Sequence, residues 1–95
     1  MSGLRPIKIR LLELFSDGGE HWNSDIVRTV QKEYSMPSDY QRDYINFDIV
    51  ELAAGGMLKS VDEKLDLDGS YKQDILIQKY VLTDFGKKRL TECLS

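Results

Sequence analysis

The 95-residue sequence predicts an α+β fold: three helices, a two- or three-stranded antiparallel sheet, and a C-terminal helix. Three observations carry this. Apolar residues recur at helical spacing in three stretches before Gly55, each bounded by Gly, Pro or a capping residue. Two apolar runs suited to strands flank Asp68-Gly69, a dipeptide that favours a tight hairpin turn. After the second run, Leu82-Thr83-Asp84 places a capping hydroxyl and an acid where a last helix would begin.

In the first helix, Leu4, Ile7, Leu11, Leu14 and Phe15 share one side, Pro6 suits the first turn, and Asp17-Gly18-Gly19 stops the helix after Ser16. His21 and Trp22 leave room only for a very short strand or an extended link. Asn23 or Ser24 is expected to cap the second helix, whose stripe of Ile26, Val27, Val30 and Tyr34 leaves Arg28 and Lys32 on the polar side. Ser35-Met36-Pro37 interrupts the pattern. Ser38 and Gln41 then have the S-x-x-Q spacing of a capping box, so the third helix starts there. Its apolar residues, Tyr44, Ile45, Phe47, Ile49, Val50, Leu52 and Ala53, are expected to make a wide packing surface ending at Gly56 in a left-handed conformation. Met57, Leu58 and Val61 open the first long strand. Ile75 to Leu82 form the second, a mostly buried ribbon by its apolar run. In the last helix Leu90 and Leu94 make an apolar edge, with Cys93 as a small buried residue.

The length fits a single domain over residues 1–95, with a core small enough that pairing with a second copy would add stability. No apolar run reaches the roughly 20 residues of a membrane helix, so no membrane partner is expected and the location is expected to be cytoplasmic. One cysteine cannot form an internal disulfide. A single histidine, His21, cannot assemble a metal cluster or a Cys/His nucleophile pair with the usual ligands, and its structural reading prevails. Asp66, Asp68 and Gly69 fail the calcium-loop pattern at Lys64 and Ile75. No phosphate loop, catalytic carboxylate pair or nucleophile elbow occurs, so neither enzyme activity nor a cofactor is expected.

The helix, helix, helix, strand, turn, strand, helix order resembles the winged-helix (winged helix-turn-helix) superfamily over nearly the whole chain. Leu82-Thr83-Asp84-Phe85-Gly86-Lys87 is similar to the L-T-x-x-G-K segment that follows the wing in many MarR-like and PadR-like regulators. Phe15-Ser16-Asp17-Gly18-Gly19-Glu20-His21-Trp22 and the stretch from Leu52 to Leu58 resemble the N-terminal domain of Mrr-type restriction endonucleases, whose nuclease domain has no counterpart here. The resemblance implies a small transcriptional regulator that contacts duplex DNA, as a homodimer associated through the first or last helix. In such folds the third helix enters the major groove, the second crosses the backbone, and the wing reaches a neighbouring groove. Carried over by position, Gln41, Arg42 and Asn46 would face bases and Ser38 a phosphate, while Arg28, Lys32, Lys64 and Lys72 would hold phosphates.

Local charge supports a rival. The net charge is −3, and residues 38–55 carry one basic side chain against four acidic ones. Residues 62–74 carry two against five. DNA affinity derives largely from Lys and Arg displacing counterions. An acidic third helix and wing suit a protein-interaction module with a basic protein partner. Individual residues also have competing assignments: Gln41 to its capping box ahead of a base, Arg42 to Asp39 or a base, and Arg28 with Lys32 to a solvated helix face or a phosphate grip. Trp22 is expected to plug the core edge, and Tyr34, Tyr40, Tyr44 and Phe47 are expected to pack.

Overall fold

The computed structural model describes residues 6–66 and 76–94 and gives the order α1 (Ile7–Phe15), β1 (His21–Trp22), α2 (Asn23–Glu33), α3 (Asp39–Ala54), β2 (Leu58–Leu65), β3 (Leu76–Leu82) and α4 (Asp84–Leu94). The fold is α+β, with an antiparallel sheet in the order β1-β3-β2. The expected turn at Asp68-Gly69 and the expected phosphate contact at Lys72 lie outside the described residues.

The core forms where one side of each helix meets the base of the sheet. Leu11, Leu12 and Phe15 of α1 pack with Ile26, Val27 and Val30 of α2, Ile45, Ile49 and Leu52 of α3, and Leu58, Tyr80, Leu82 and Leu90. Phe15 is fully buried and meets the rings of His21 and Tyr80 edge-on, with centroids 5.7 and 6.5 Å away, which ties α1 to both β1 and β3. On the outside of the helical pair, Arg10 donates to both carboxylate oxygens of Glu33 at 2.8 Å, joining α1 to the end of α2 in a bidentate pair. That carboxylate is held below its usual range by the guanidinium.

The third helix starts as expected: the Gln41 backbone N–H donates to Ser38 Oγ at 3.1 Å, and the Ser38 N–H donates to Gln41 Oε1 at 3.1 Å. Gly56 follows with φ of +84°, a conformation that costs glycine little. Thr83 then joins three elements. Its backbone N–H donates to the Met57 carbonyl at 3.1 Å, its hydroxyl donates to the Gly56 carbonyl at 2.7 Å, and that oxygen accepts from the Gly86 N–H at 2.9 Å. One residue thus caps α4 and satisfies carbonyls freed at the end of α3.

Four expectations are corrected. The N-cap of α2 is Trp22, without a side-chain cap, while Asn23 and Ser24 are buried inside the first turn. The Asn23 side chain bridges elements instead. Trp22 is half-buried and lies outside the core, because successive strand residues point to opposite faces and His21 takes the inner one. Tyr40, Tyr44, Phe47 and Val50 are exposed. They lie across α3 from Ile45, Ile49 and Leu52, so only one of two apolar stripes packs. The second long strand is buried or part-buried apart from Leu76, as its apolar run leads one to expect, whereas Val61 and Leu65 of β2 are exposed. A register shift between Ser60 and Asp62 places Val61 at a bulge. Finally, Cys93 is exposed because α4 meets the core through Leu90.

The close approach at Thr83 makes Gly86 the least substitutable of the described glycines. A Cβ there would overlap the Met57 carbonyl and lie 2.6 Å from the Leu82 side chain. Gly86→Ala is expected to cost about 1–3 kcal/mol, lowering Tm by roughly 5 °C or more. Gly18→Asn, at φ of +83° with open space around it, should change stability by less than about 1 kcal/mol, since Asn tolerates the left-handed region. Paired circular-dichroism melts check both.

A candidate interaction surface on the third helix

Helical geometry divides α3 into two sides. Ile45, Ile49 and Leu52 face the core. On the other side Tyr40, Tyr44, Phe47 and Val50 are 80%, 54%, 59% and 47% exposed. Asp39, Asp43 and Glu51 stand among them with exposed side chains. The outward side is therefore aromatic and acidic, and none of its residues is Lys or Arg.

The residues carried over for base contact are engaged elsewhere. Gln41 holds the capping box, its Oε1 also accepting from the Ser38 hydroxyl at 3.1 Å. Arg42 has only 14% of its side chain exposed and lies 3.2 Å from both the Asp39 and the Asp43 carboxylate. Asn46 accepts from Asn23 Nδ2 at 2.7 Å, and Asn23 Oδ1 accepts from the Gln78 N–H at 3.1 Å. Asn23 thereby connects α2, α3 and β3 through a part-buried amide pair, which leaves Asn46 little freedom to meet a base.

Of the cations carried over for phosphate contact, the three that are described, Arg28, Lys32 and Lys64, lie on different elements, α2 and β2. Arg28 and Lys32 are exposed on α2 and flank a shallow groove with Gln31 and Pro37. Arg28 also lies 3.7 Å from Asp25. Gln31 fixes the following turn by donating to the Met36 carbonyl at 2.9 Å. On the sheet, Lys64 Nζ lies 4.5 Å from the Trp22 ring centroid and Lys79 Nζ lies 5.2 Å from it. Lys79 also faces Glu20 at 3.7 Å. Asp66, expected at the tip of the ribbon, is buried.

Two concavities adjoin the aromatic side of α3. One, about 650 Å³, runs from Val50 and Ala53 across to Leu58, Lys59 and Tyr80 at the base of the sheet. The other, about 380 Å³, lies between the first turn of α1 and the middle of α3. Pro6 and Ile7 border it on one side and Tyr44 and Phe47 on the other, and Lys8, Asp48 and Glu51 complete its lining. Lys8 Nζ approaches Glu51 Oε1 at 3.1 Å, which raises the ammonium pKa. Asp48 is 7% exposed, and burial pushes its carboxyl pKa above the usual range, with Lys8 opposing and Glu51 reinforcing the shift.

The acidic character of this side is expected from the sequence, while its aromatic stripe is hidden in the near-continuous series of apolar residues along α3. Splitting them by angle separates Tyr40, Tyr44 and Phe47 from Ile45, Ile49 and Leu52, with Asp48 close to the buried set. The signal was a second stripe and an acid placed on the inner side. Among the described residues, no group of three His, Cys, Asp or Glu side chains is placed to hold a metal ion. No described helix is long and apolar enough to cross a membrane.

Asp48 yields a pH-dependent prediction. Its folded pKa is raised, so its contribution favours folding below the unfolded carboxyl range and is lost as pH rises through the folded value. Asp48→Asn is therefore expected to raise Tm at pH 7, by an amount that shrinks as pH falls into the carboxylate range. Thermal melts across that interval measure the difference; a constant gap, or a lower Tm for the variant at neutral pH, would contradict the assignment.

Comparison of the chain with family models, with curated proteins and with solved structures finds no match.

Proposed function

We propose that this chain is a protein-interaction module of winged-helix architecture, and that the outward side of α3 receives a basic, partly apolar segment of a partner protein. The observation that carries this is the stripe of Tyr40, Tyr44, Phe47 and Val50 set among Asp39, Asp43 and Glu51. Single exposed apolar residues are ordinary on protein surfaces. A contiguous stripe with three aromatics on one side of a helix is the composition of a contact surface. The acids select the partner's sign. Two copies packed through the same side of α3 would bring these carboxylates together, which disfavours self-association there and favours a cationic segment.

A second reading, duplex DNA binding by a small transcriptional regulator, is favoured by the exposure of Arg28 and Lys32 beside one groove on α2. It would rest on phosphate contacts, since Gln41, Arg42 and Asn46 already have partners within the fold.

Panning a random peptide library against the protein, alongside mobility shift of a random duplex at low salt, separates the readings. Selected peptides should combine positive charge with apolar residues and lose at least about tenfold in affinity to Phe47→Ser. That exposed substitution should leave stability within about 0.5 kcal/mol. A duplex shift abolished by replacing Arg28 and Lys32 with Ala and unaffected by Phe47→Ser, with no selected peptide, would establish the DNA reading instead.

A further inference from the structure

Within the interaction surface, the cleft between α1 and α3 has chemistry of its own. Asp48 forms part of its lining, is more than nine-tenths buried, and accepts no hydrogen bond among the described residues. A largely buried carboxylate without a hydrogen-bond donor is costly, and among the described residues only the field of Lys8 offsets that cost. Lys8, the cation that acts on Asp48, makes its close contact with Glu51. Among the described residues that line the cleft, Asp48 and Glu51 against Lys8 leave one carboxylate in excess. Tyr44 and Phe47, more than half exposed, stand at its edge with ring surface available. At about 380 Å³ the cleft is within the roughly 300–1,000 Å³ range of small-ligand sites.

We propose that this cleft is a subsite for one arginine side chain of the partner segment, its guanidinium paired with the Asp48 carboxylate and its plane against Tyr44 or Phe47. A guanidinium fits better than an ammonium for two reasons: it can meet a carboxylate with two parallel N–H donors, and its flat, weakly hydrated face stacks on an aromatic ring. Entry of the cation balances the excess carboxylate. Lys8 acts as an internal competitor, because its ammonium draws Glu51 away from the guest and repels it. The subsite rests on the interaction reading for its biological occupant, while its chemistry can be tested without any partner.

The probe is n-butylguanidinium, compared with n-butylammonium and the neutral, similarly shaped n-butylurea, each titrated into the isotope-labelled protein and followed by NMR. Butylguanidinium is expected to move the Tyr44, Phe47 and Asp48 signals in a saturable way and to bind more tightly than butylammonium. Butylurea should leave them in place. Asp48→Asn should weaken the guanidinium by about tenfold, and Lys8→Met should strengthen it, a gain that a purely structural role for Lys8 would not produce. Equal responses to guanidinium and urea, no response to either, or an unchanged affinity in Asp48→Asn would overturn the proposal. Preference for butylammonium would replace arginine with lysine as the occupant. Because these probes are independent of peptide selection, cleft binding without any selected peptide would sink the interaction reading alone, and peptide binding without cleft binding would sink the subsite alone.

Discussion

Thr83 is the point on which the relative placement of three elements depends. Its hydroxyl is both donor and acceptor, so it can join the Gly56 carbonyl, where α3 has just ended, to the Gly86 N–H, where α4 is beginning. Its own N–H reaches the Met57 carbonyl immediately before β2. The close passage of Met57 against α4 is sterically open only because Gly86 lacks a Cβ. With the end of α3, the start of β2 and the end of β3 fastened together, the rotation of α3 about its axis is set by the core contacts of Ile45, Ile49 and Leu52. The same rotation determines what the helix shows to solvent.

What it shows follows from a helix with apolar residues on two sides. Packing satisfies one side. The other keeps Tyr40, Tyr44, Phe47 and Val50 in water, and Asp48 lies close enough to the packed side to be buried with it. Burying an acid while exposing aromatics opposes the usual sorting of residues by polarity. Folding stability alone gives no reason for either, and departures from local consistency concentrate at functional sites. Here both departures meet at one cleft, where Asp48, Tyr44 and Phe47 line a common space.

Much of the architecture was legible because it depends on short-range chemistry. The S-x-x-Q box at Ser38 and Gln41, the left-handed Gly56, the capping hydroxyl of Thr83 and the short strand at His21 and Trp22 each rest on a few neighbouring residues. Side-chain destinations were harder to read. Asn23 looked like a cap because Asn is a good one, yet its amide connects Asn46 and Gln78, the second lying 55 positions along the chain. Trp22 looked like core because tryptophan is large, but the inner face of a two-residue strand had room for one ring and His21 took it. Tyr44 and Phe47 looked like packing residues because they are apolar, and only the direction of the core around α3 shows otherwise. For Asn23 and for α3 the deciding partners are distant in sequence, whereas for Trp22 the adjacent His21 decides.

The same distinction governs the basic residues. A guanidinium contributes to recognition of an external anion to the extent that no internal carboxylate already holds it. Arg10 is bound to Glu33 and Arg42 lies between Asp39 and Asp43, so neither is a free positive charge despite its position on a helix. Neutralising Arg42 in this way also leaves the carboxylates as the prevailing charge near the start of α3, beside exposed Tyr40. An anionic duplex approaching that side would meet carboxylates and aromatic rings, while the described cations beside it, Arg42 and Lys8, are paired with Asp39, Asp43 and Glu51. A cationic chain with apolar side chains would meet attraction and a surface on which to bury them, and the charge arrangement of α3 therefore favours the second kind of visitor.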